Sequence, residues 1–467
     1  MKMWSGRFRQ GLDPAFETWQ RSFPFDCRLL ECELEASGAH ARALAQAGVL
    51  SPEELARVLA GLDEIGERVA RDGGSLNNEE AEDIHHFVEI ELVRQIGDVG
   101  YKLHSGRSRN EQIATDLRLY TRAACDEISA ALSQLMSAFL NRAEQAEGAA
   151  MPAYTHMQRA EPVLVGHWLL AYVAMFLRDS ERIGDCRKRL NFCPLGTAAV
   201  AGSTLPLDRE FMARELAFTG PTTNSMDSTS DRDFVVEFVS ALSLLAVHLS
   251  RWAEEMLLFA TQEYGFLRLP EAYSTGSSAL PQKMNGDLLE LVRAKSGRII
   301  GHLTGLLVST KGLPLAYNKD LQETQEPLFD VAETVITLLP LLTKWMQAVE
   351  FDLERMQRAA QSGSLNAFAA ATYLVRKGVP FRIAHEQVGK AVCLALDRRS
   401  ELEDLKLEEL QQIDTHFGSD FYDFVKLDNV LAIHDLVGGT APERVRQSIE
   451  VARKKLALLE EEAHAHA

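Results

Sequence analysis

Residues 109–139, RNEQIATDLRLYTRAACDEISAALSQLMSAF, decide the fold. Ile113, Leu117, Tyr120, Ala124, Ile128, Leu132, Leu135 and Phe139 follow one another at spacings of 4, 3, 4, 4, 4, 3 and 4. That is the rhythm of one apolar stripe along an α-helix. It is sustained over about seven turns, where helices of compact domains average about three.

Working outward, four more stretches carry long helical patterns. Pro162–Leu190 and Asp233–Tyr264 are apolar on nearly every side, and the pattern returns over Leu288–Ser309 and Pro327–Arg358. Pro340 lies inside the last of these and predicts a kink. Before residue 109, helical sequence runs from Arg28 to Ala47. Ser51-Pro52-Glu53-Glu54 is a helix start, with a Ser cap, Pro in the first turn and acids near the positive end of the dipole. Ile84, Val88, Leu92 and Ile96 mark another helix. After Ala359 the elements shorten: Gly378-Val379-Pro380 stops one helix and restarts another, and Leu405–Leu410 and Ala441–Leu458 are separate units. Alternation in β-branched residues is nearly absent. The expectation is an all-α chain of three helical domains, 1–106, 107–358 and 359–467, with a central bundle of long helices. Helices apolar on every face need more partners than one bundle offers, so several subunits are expected to pool their helices in one core.

Composition narrows the function. The chain has 467 residues, 46% hydrophobic and 25% charged, with a net charge of -18. So acidic a surface argues against nucleic acid and anionic membranes as partners. The six cysteines form no CxxC or similar spacing, which suggests reduced thiols and a cytoplasmic protein. The opening MKMWSGRFRQ lacks the apolar centre of a signal peptide. The longest apolar run, Val163 to Leu177, is too short to span a bilayer and reads as a buried helix. No metal-ligand spacing, glycine-rich phosphate loop or nucleophile motif appears, so neither metal nor cofactor is expected.

Five polar patches interrupt this helical chain. STGSSALPQKMNGDLLELVR, residues 274–293, is a glycine- and serine-rich loop that runs into a helix from Leu288. HSGRSRN, residues 104–110, places two arginines, two hydroxyls and an amide at a helix N-terminus, where backbone N–H groups and the dipole favour a carboxylate. Thr155-His156-Met157-Gln158 is a polar turn just before a helix. Thr229-Ser230-Asp231-Arg232-Asp233 enters another, and Tyr317 to Gln322 is a polar segment between two. Each alone is also what an ordinary capped helix start or surface loop looks like. Together they offer repeated carboxylate-binding chemistry, one histidine and a mobile serine loop. That suits a polyanionic substrate whose reaction needs only proton transfer and charge stabilisation.

At these places the chain resembles the argininosuccinate lyase family of the fumarase/aspartase superfamily. The resemblance runs from MWSGRF (3–8) through SGRSRN, YTHMQRAEPVLVGHWLLAY, STSDRDFVVEF, GSSALPQKMNGD and AYNKDLQE to YLVRKGVPFR (373–382). It implies a homotetramer whose active sites are built from three subunits, acting on a small molecule without a cofactor. The implied reaction is reversible elimination of argininosuccinate to arginine and fumarate through an aci-carboxylate. Ser277 matches the catalytic base, His156 the general acid, Glu290 its orienting partner, and Lys283 and Asn285 the holders of the reacting carboxylate. Ser108, Arg109, Asn110, Thr155, Arg232, Ser278, Tyr317 and Gln322 match substrate-binding positions, with Asp83 and His85 nearby. The alternatives are another fumarate-releasing lyase of the superfamily and a non-catalytic, crystallin-like relative. Met284 and Gly286 stand where the family usually has a second lysine and a proline, and Gln325 where it usually has a further lysine. Loss of two cations implies weaker substrate binding, and Gly286 a looser hinge.

Overall fold

Helix starts follow the chemistry of their first residues. In this computed structural model, which describes residues 10–76, 78 and 80–465, α1 spans Leu30–Gln46 and α2 spans Pro52–Arg71. Ser51 caps α2 reciprocally: its hydroxyl accepts from the Glu54 N–H at 3.2 Å, and the Glu54 carboxylate accepts from the Ser51 N–H at 3.0 Å. Helix α3, Ile84–Ile96, is capped by Asp83, which accepts from the His86 N–H at 2.8 Å. The stretch Met3–Phe8 lies outside the described residues.

Helix α4, Arg109–Gln145, has 37 residues, or about ten turns. Its stripe is the core: Leu117, Ile128, Leu132 and Phe139 are fully buried. Where a helix beginning at Pro162 was expected, a β-hairpin intervenes. Strands β1 (Ala150–Thr155) and β2 (Gln158–Leu164) pair antiparallel, from Ala150 opposite Leu164 to Thr155 opposite Gln158. Helix α5 then covers Val165–Leu190, and α6 covers Asp233–Ala260. By length and composition α6 alone among the described helices could cross a bilayer, yet Trp252 and Met256 on it are buried in protein.

The polar loop is pinched at its neck by β3 (Thr275–Gly276) pairing with β4 (Met284–Asn285), and α7 follows over Asp287–Thr310. Helix α8, Gln325–Ala348, runs through Pro340. It ends ten residues before the expected Arg358, because Glu350–Phe351 leaves the helix to pair with Leu267–Arg268, and a separate short helix, Leu353–Ala360, follows. Helices α9 (Ala367–Arg376) and α10 (Phe381–Arg398) are divided at Gly378, whose φ of 95° suits a helix end, and at Pro380. The last helix, α11, is Pro442–Ala465.

The chain packs as two compact units. The first comprises Met1–Ile128, Glu181–Leu244 and Gly297–Ile336; the second comprises Ser129–Ser180, Leu245–Ser296 and Thr337–Ala467. Every passage between them falls inside one of the five long helices α4 to α8. The first unit holds an apolar cluster of Ala36, Leu119, Leu195, Met212 and Phe218. The second has an aromatic centre in which Phe139 meets Phe176 edge-on at 5.5 Å and Trp252 meets Trp345 at 5.1 Å. Such pairs add about 0.5–1.5 kcal/mol each beyond the area they bury. A second cluster around Leu374, Val388, Phe417 and Phe421 holds the smaller C-terminal helices together.

Candidate active site

The sequence-named residues fall into two groups, one on each unit. In the first unit, Ser108 caps α4. Its hydroxyl accepts from the Asn110 N–H at 3.3 Å, while the Glu111 carboxylate accepts from the Ser108 N–H at 3.0 Å. Arg109 reaches Asp83 at 2.9 Å and Glu82 at 3.4 Å. Asn110 donates to the Ala199 carbonyl at 3.3 Å and Gln322 to the Gln20 carbonyl at 3.3 Å. Arg109, Asn110, Asp83, His85, Tyr317 and Gln322 all line one cavity of about 410 Å³, within the range of small-molecule sites. Arg232 is buried; burial draws its guanidinium down to about 10, partly offset by the Tyr317 phenol.

His85, in the first turn of α3, is deeply set. Its Nδ1 lies 2.9 Å from Glu33 and 3.6 Å from Asp116, and all three side chains are buried. Burial alone would favour neutral imidazole, but Glu33 first, and then Asp116 and Asp83, raise it to about 9. Glu33 shows the counterpart: burial works against its charge, yet His85, Arg107 and Ser37 bring it down to about 2. Asp116, buried beside the Glu33 charge, is pushed well up. The ligand-type atoms of these three lie within 4.8 Å of one another, the spacing of a metal trio. Arg107 and the Gln112 amide, which donates to Glu33 at 3.1 Å, already supply positive counterparts there. His40, held neutral by burial at about 3, bonds the Ser105 carbonyl at 3.1 Å and so steadies the loop that carries Ser108 to Asn110.

Sequence reasoning missed Glu33 and Asp116, although a signal existed. Leu30, Glu33, Ser37, His40 and Leu44 step by 3, 4, 3 and 4 along α1, and all five are buried. Polar residues on a core stripe must find partners in the interior.

In the second unit, Thr155 and His156 sit at the tip of the β1–β2 hairpin, not at a helix start. His156 and Met157 have φ of 52° and 59°, the two left-handed residues of a tight hairpin turn. His156 is exposed, and among the described residues no hydrogen bond joins it to Glu290, which is exposed on the first turn of α7. In the polar loop the Ser277 hydroxyl accepts from the N–H groups of Ala279 at 3.3 Å and Leu280 at 3.1 Å. Ser278 and Lys283 are exposed. Asn285 donates to the Gly276 carbonyl at 3.4 Å and so helps close the loop's neck. Gly286 is a close-approach glycine: a Cβ there would lie 2.6 Å from Leu257 Cδ2.

Residues 6–301 match the Lyase family, and residues 364–432 match the argininosuccinate lyase C-terminal family. Argininosuccinate lyase of Acidobacterium capsulatum is 57% identical over 460 residues, covering 97% of this chain and 95% of the relative. The chain belongs to the argininosuccinate lyase family. It is thus a carbon–nitrogen lyase with an all-α fold. Argininosuccinate lyase of Koribacter versatilis is 55% identical over the full length of both chains. Among solved structures, EDDS lyase in complex with formate superposes with a TM-score of 0.84 at 26% identity, covering 98% of this chain and 93% of that one.

Proposed function

We propose that the two groups of residues are halves of a site for reversible elimination of argininosuccinate to arginine and fumarate. Ser277 takes the proton from the carbon beside a carboxylate, leaving a doubly charged aci-carboxylate. The C–N bond then breaks, and the departing guanidino nitrogen takes a proton from His156, which Glu290 orients in the assembled site. The observation that carries this reading is the pair of N–H groups on Ser277 Oγ. A serine hydroxyl is a poor base, and two aligned N–H dipoles are what an alkoxide needs. Donors of this kind are worth about 3–4 kcal/mol each where charge develops. Lys283 and Asn285 hold the reacting carboxylate, with Ser278 and Thr155 beside them; Ser108, Arg109, Asn110, Arg232, Tyr317 and Gln322 bind the remainder, with Asp83 and His85 nearby.

The site is proposed to form only in a cytoplasmic homotetramer, each site drawing on three subunits. The long helices of the stretch 107–358 are the inter-subunit core, flanked by 1–106 and 359–467. In support, His156, Lys283 and Glu290 stand exposed on a single chain, and α6, α7 and α8 leave Leu244, Leu291, Leu307, Val308 and Leu341 open to solvent. The purified protein is expected to raise fumarate absorbance with argininosuccinate and not with aspartate, malate or adenylosuccinate. Absence of turnover would overturn the reaction, and a stable monomer in light scattering would overturn the shared site.

A further inference from the structure

A groove of about 470 Å³ runs between α5 and α11 in the second unit, and none of the residues named for the lyase chemistry lines it. Leu170, Val173, Ala174 and Leu177 stand at i, i+3, i+4 and i+7 on one face of α5, and Val451 and Ala452 line it from α11. Val437, which is 95% exposed, joins the lining from the loop before α11. A mostly apolar lining with a few polar groups, at this volume, is what small-molecule sites have.

The walls of the groove are held from behind. The Arg453 guanidinium of α11 donates through two nitrogens to the Glu144 carboxylate of α4, each at 2.8 Å. Gly166, at the start of α5, lets α11 come close: a Cβ there would lie 3.1 Å from Val445 Cγ1. The Leu164 N–H donates to the Thr440 hydroxyl at 2.8 Å and so ties the loop that carries Val437 to β2. A groove framed in this way cannot close on itself, and its apolar lining stays in contact with water unless something fills it.

Charge says what that something is. The ionisable groups of the lining are His167, Arg444 and Lys455, with no Asp or Glu among them, in a chain whose net charge is -18. Burial first, and then His434, push the His167 imidazole down. Arg444 is bonded to Asp435 at 2.7 Å and to Gln447 at 3.0 Å. That leaves Lys455, exposed on the rim, as the cation with no carboxylate partner among the described residues. It lies about 16 Å along α11 from Arg444, far enough for a hydrocarbon chain to stretch out between them. We propose that the groove binds a free medium-chain monocarboxylate, with its hydrocarbon chain between α5 and α11 and its carboxylate on Lys455. The site shares no residue with the proposed catalytic groups, so it stands whether or not the chain turns over argininosuccinate.

Calorimetric titration of the full-length protein with octanoate, 1-octanol and octylammonium tests this, since the three share a chain and differ in head group. The wild type is expected to take up one octanoate per chain with a Kd of about 1 mM or below, and to bind octylammonium at least about tenfold more weakly. Lys455→Glu reverses the rim charge and is expected to weaken octanoate about tenfold while leaving 1-octanol unchanged. Ala174→Trp fills the groove from the α5 wall, and Val451→Asp puts a charge on the α11 wall; each is expected to abolish octanoate binding. All three positions are exposed, so circular dichroism and light scattering should match the wild type. No octanoate uptake by the wild type, equal affinity for octanoate and octylammonium, or octanoate affinity unchanged in Lys455→Glu or in both wall variants would each overturn the proposal. So would an altered oligomeric state of Ala174→Trp or Val451→Asp, which would make the groove a contact between copies of the chain.

Discussion

Replacing Glu33 with Gln removes one charge from a buried pair and leaves the other, His85, beside a neutral amide. The imidazole, near 6.5 when unfolded, is raised to about 9 in the fold, chiefly by Glu33, which corresponds to roughly 3 kcal/mol. The lowering of Glu33 from 4.5 to about 2 is the same interaction seen from the other partner, and it counts once. The sign follows from each group. The contribution of His85 is complete below pH 6.5 and is lost as pH rises through 9. That of Glu33 is complete above pH 4.5 and is lost as pH falls through 2. Removing one member of a buried pair costs about 3–5 kcal/mol, and Asp116, 3.6 Å from His85, remains as a second carboxylate beside the imidazole, so the low end applies. Urea unfolding at fixed protein concentration should show Glu33→Gln less stable by about 3 kcal/mol at pH 6. About half of that should remain at pH 8 and little above pH 9. A penalty equal at pH 6 and pH 10, or below about 1 kcal/mol at pH 6, would refute the assignment of a charged His85.

Three further outcomes can be checked in the same preparations. Ser277→Ala should lower kcat by about 10²- to 10⁴-fold in the fumarate assay with KM little changed; full activity would remove Ser277 from the role of base. Met284→Lys restores a cation on the exposed part of the loop and should lower KM by up to about fivefold, since an exposed pair is worth at most about 1 kcal/mol; an unchanged KM would show that its loss is of no consequence to binding. Gly286→Ala should cost no more than about 1 kcal/mol in thermal or denaturant unfolding, because what its Cβ meets at 2.6 Å is the movable Cδ2 end of half-buried Leu257. A loss well above that would show that Leu257 cannot give way.

Elements that declare themselves locally were legible in the sequence. The stripe of α4, the Ser51 cap, the stop at Gly378 and the loop before α7 all rest on interactions within a few residues. The errors came where the deciding partner is distant in sequence. Pro162, Val163 and Leu164 look like the apolar opening of α5, but β1 claims them, and the turn that reverses the chain is His156-Met157, with neither Gly nor Asn to mark it. Nothing at Val349 signals a break; α8 ends there because Leu267–Arg268, eighty residues earlier, pairs with Glu350–Phe351. The site divides in the same way. Motif residues could be named one by one, whereas the partners of His85 lay on other helices, and Gln325 read as a lost lysine before it appeared as part of a cavity wall.

The passages between the two units bear on how such a chain can be altered. Because each lies mid-helix in α4, α5, α6, α7 or α8, neither unit corresponds to a continuous segment of gene. Recombination that exchanged one unit for a homologue's would need five matched crossovers, each within a helix whose register admits no insertion. Loops such as 274–286 can diverge singly, residue by residue. Novel substrate preference in this architecture is therefore expected to arise through point changes on loops and cavity walls, and not through the swapping of modules.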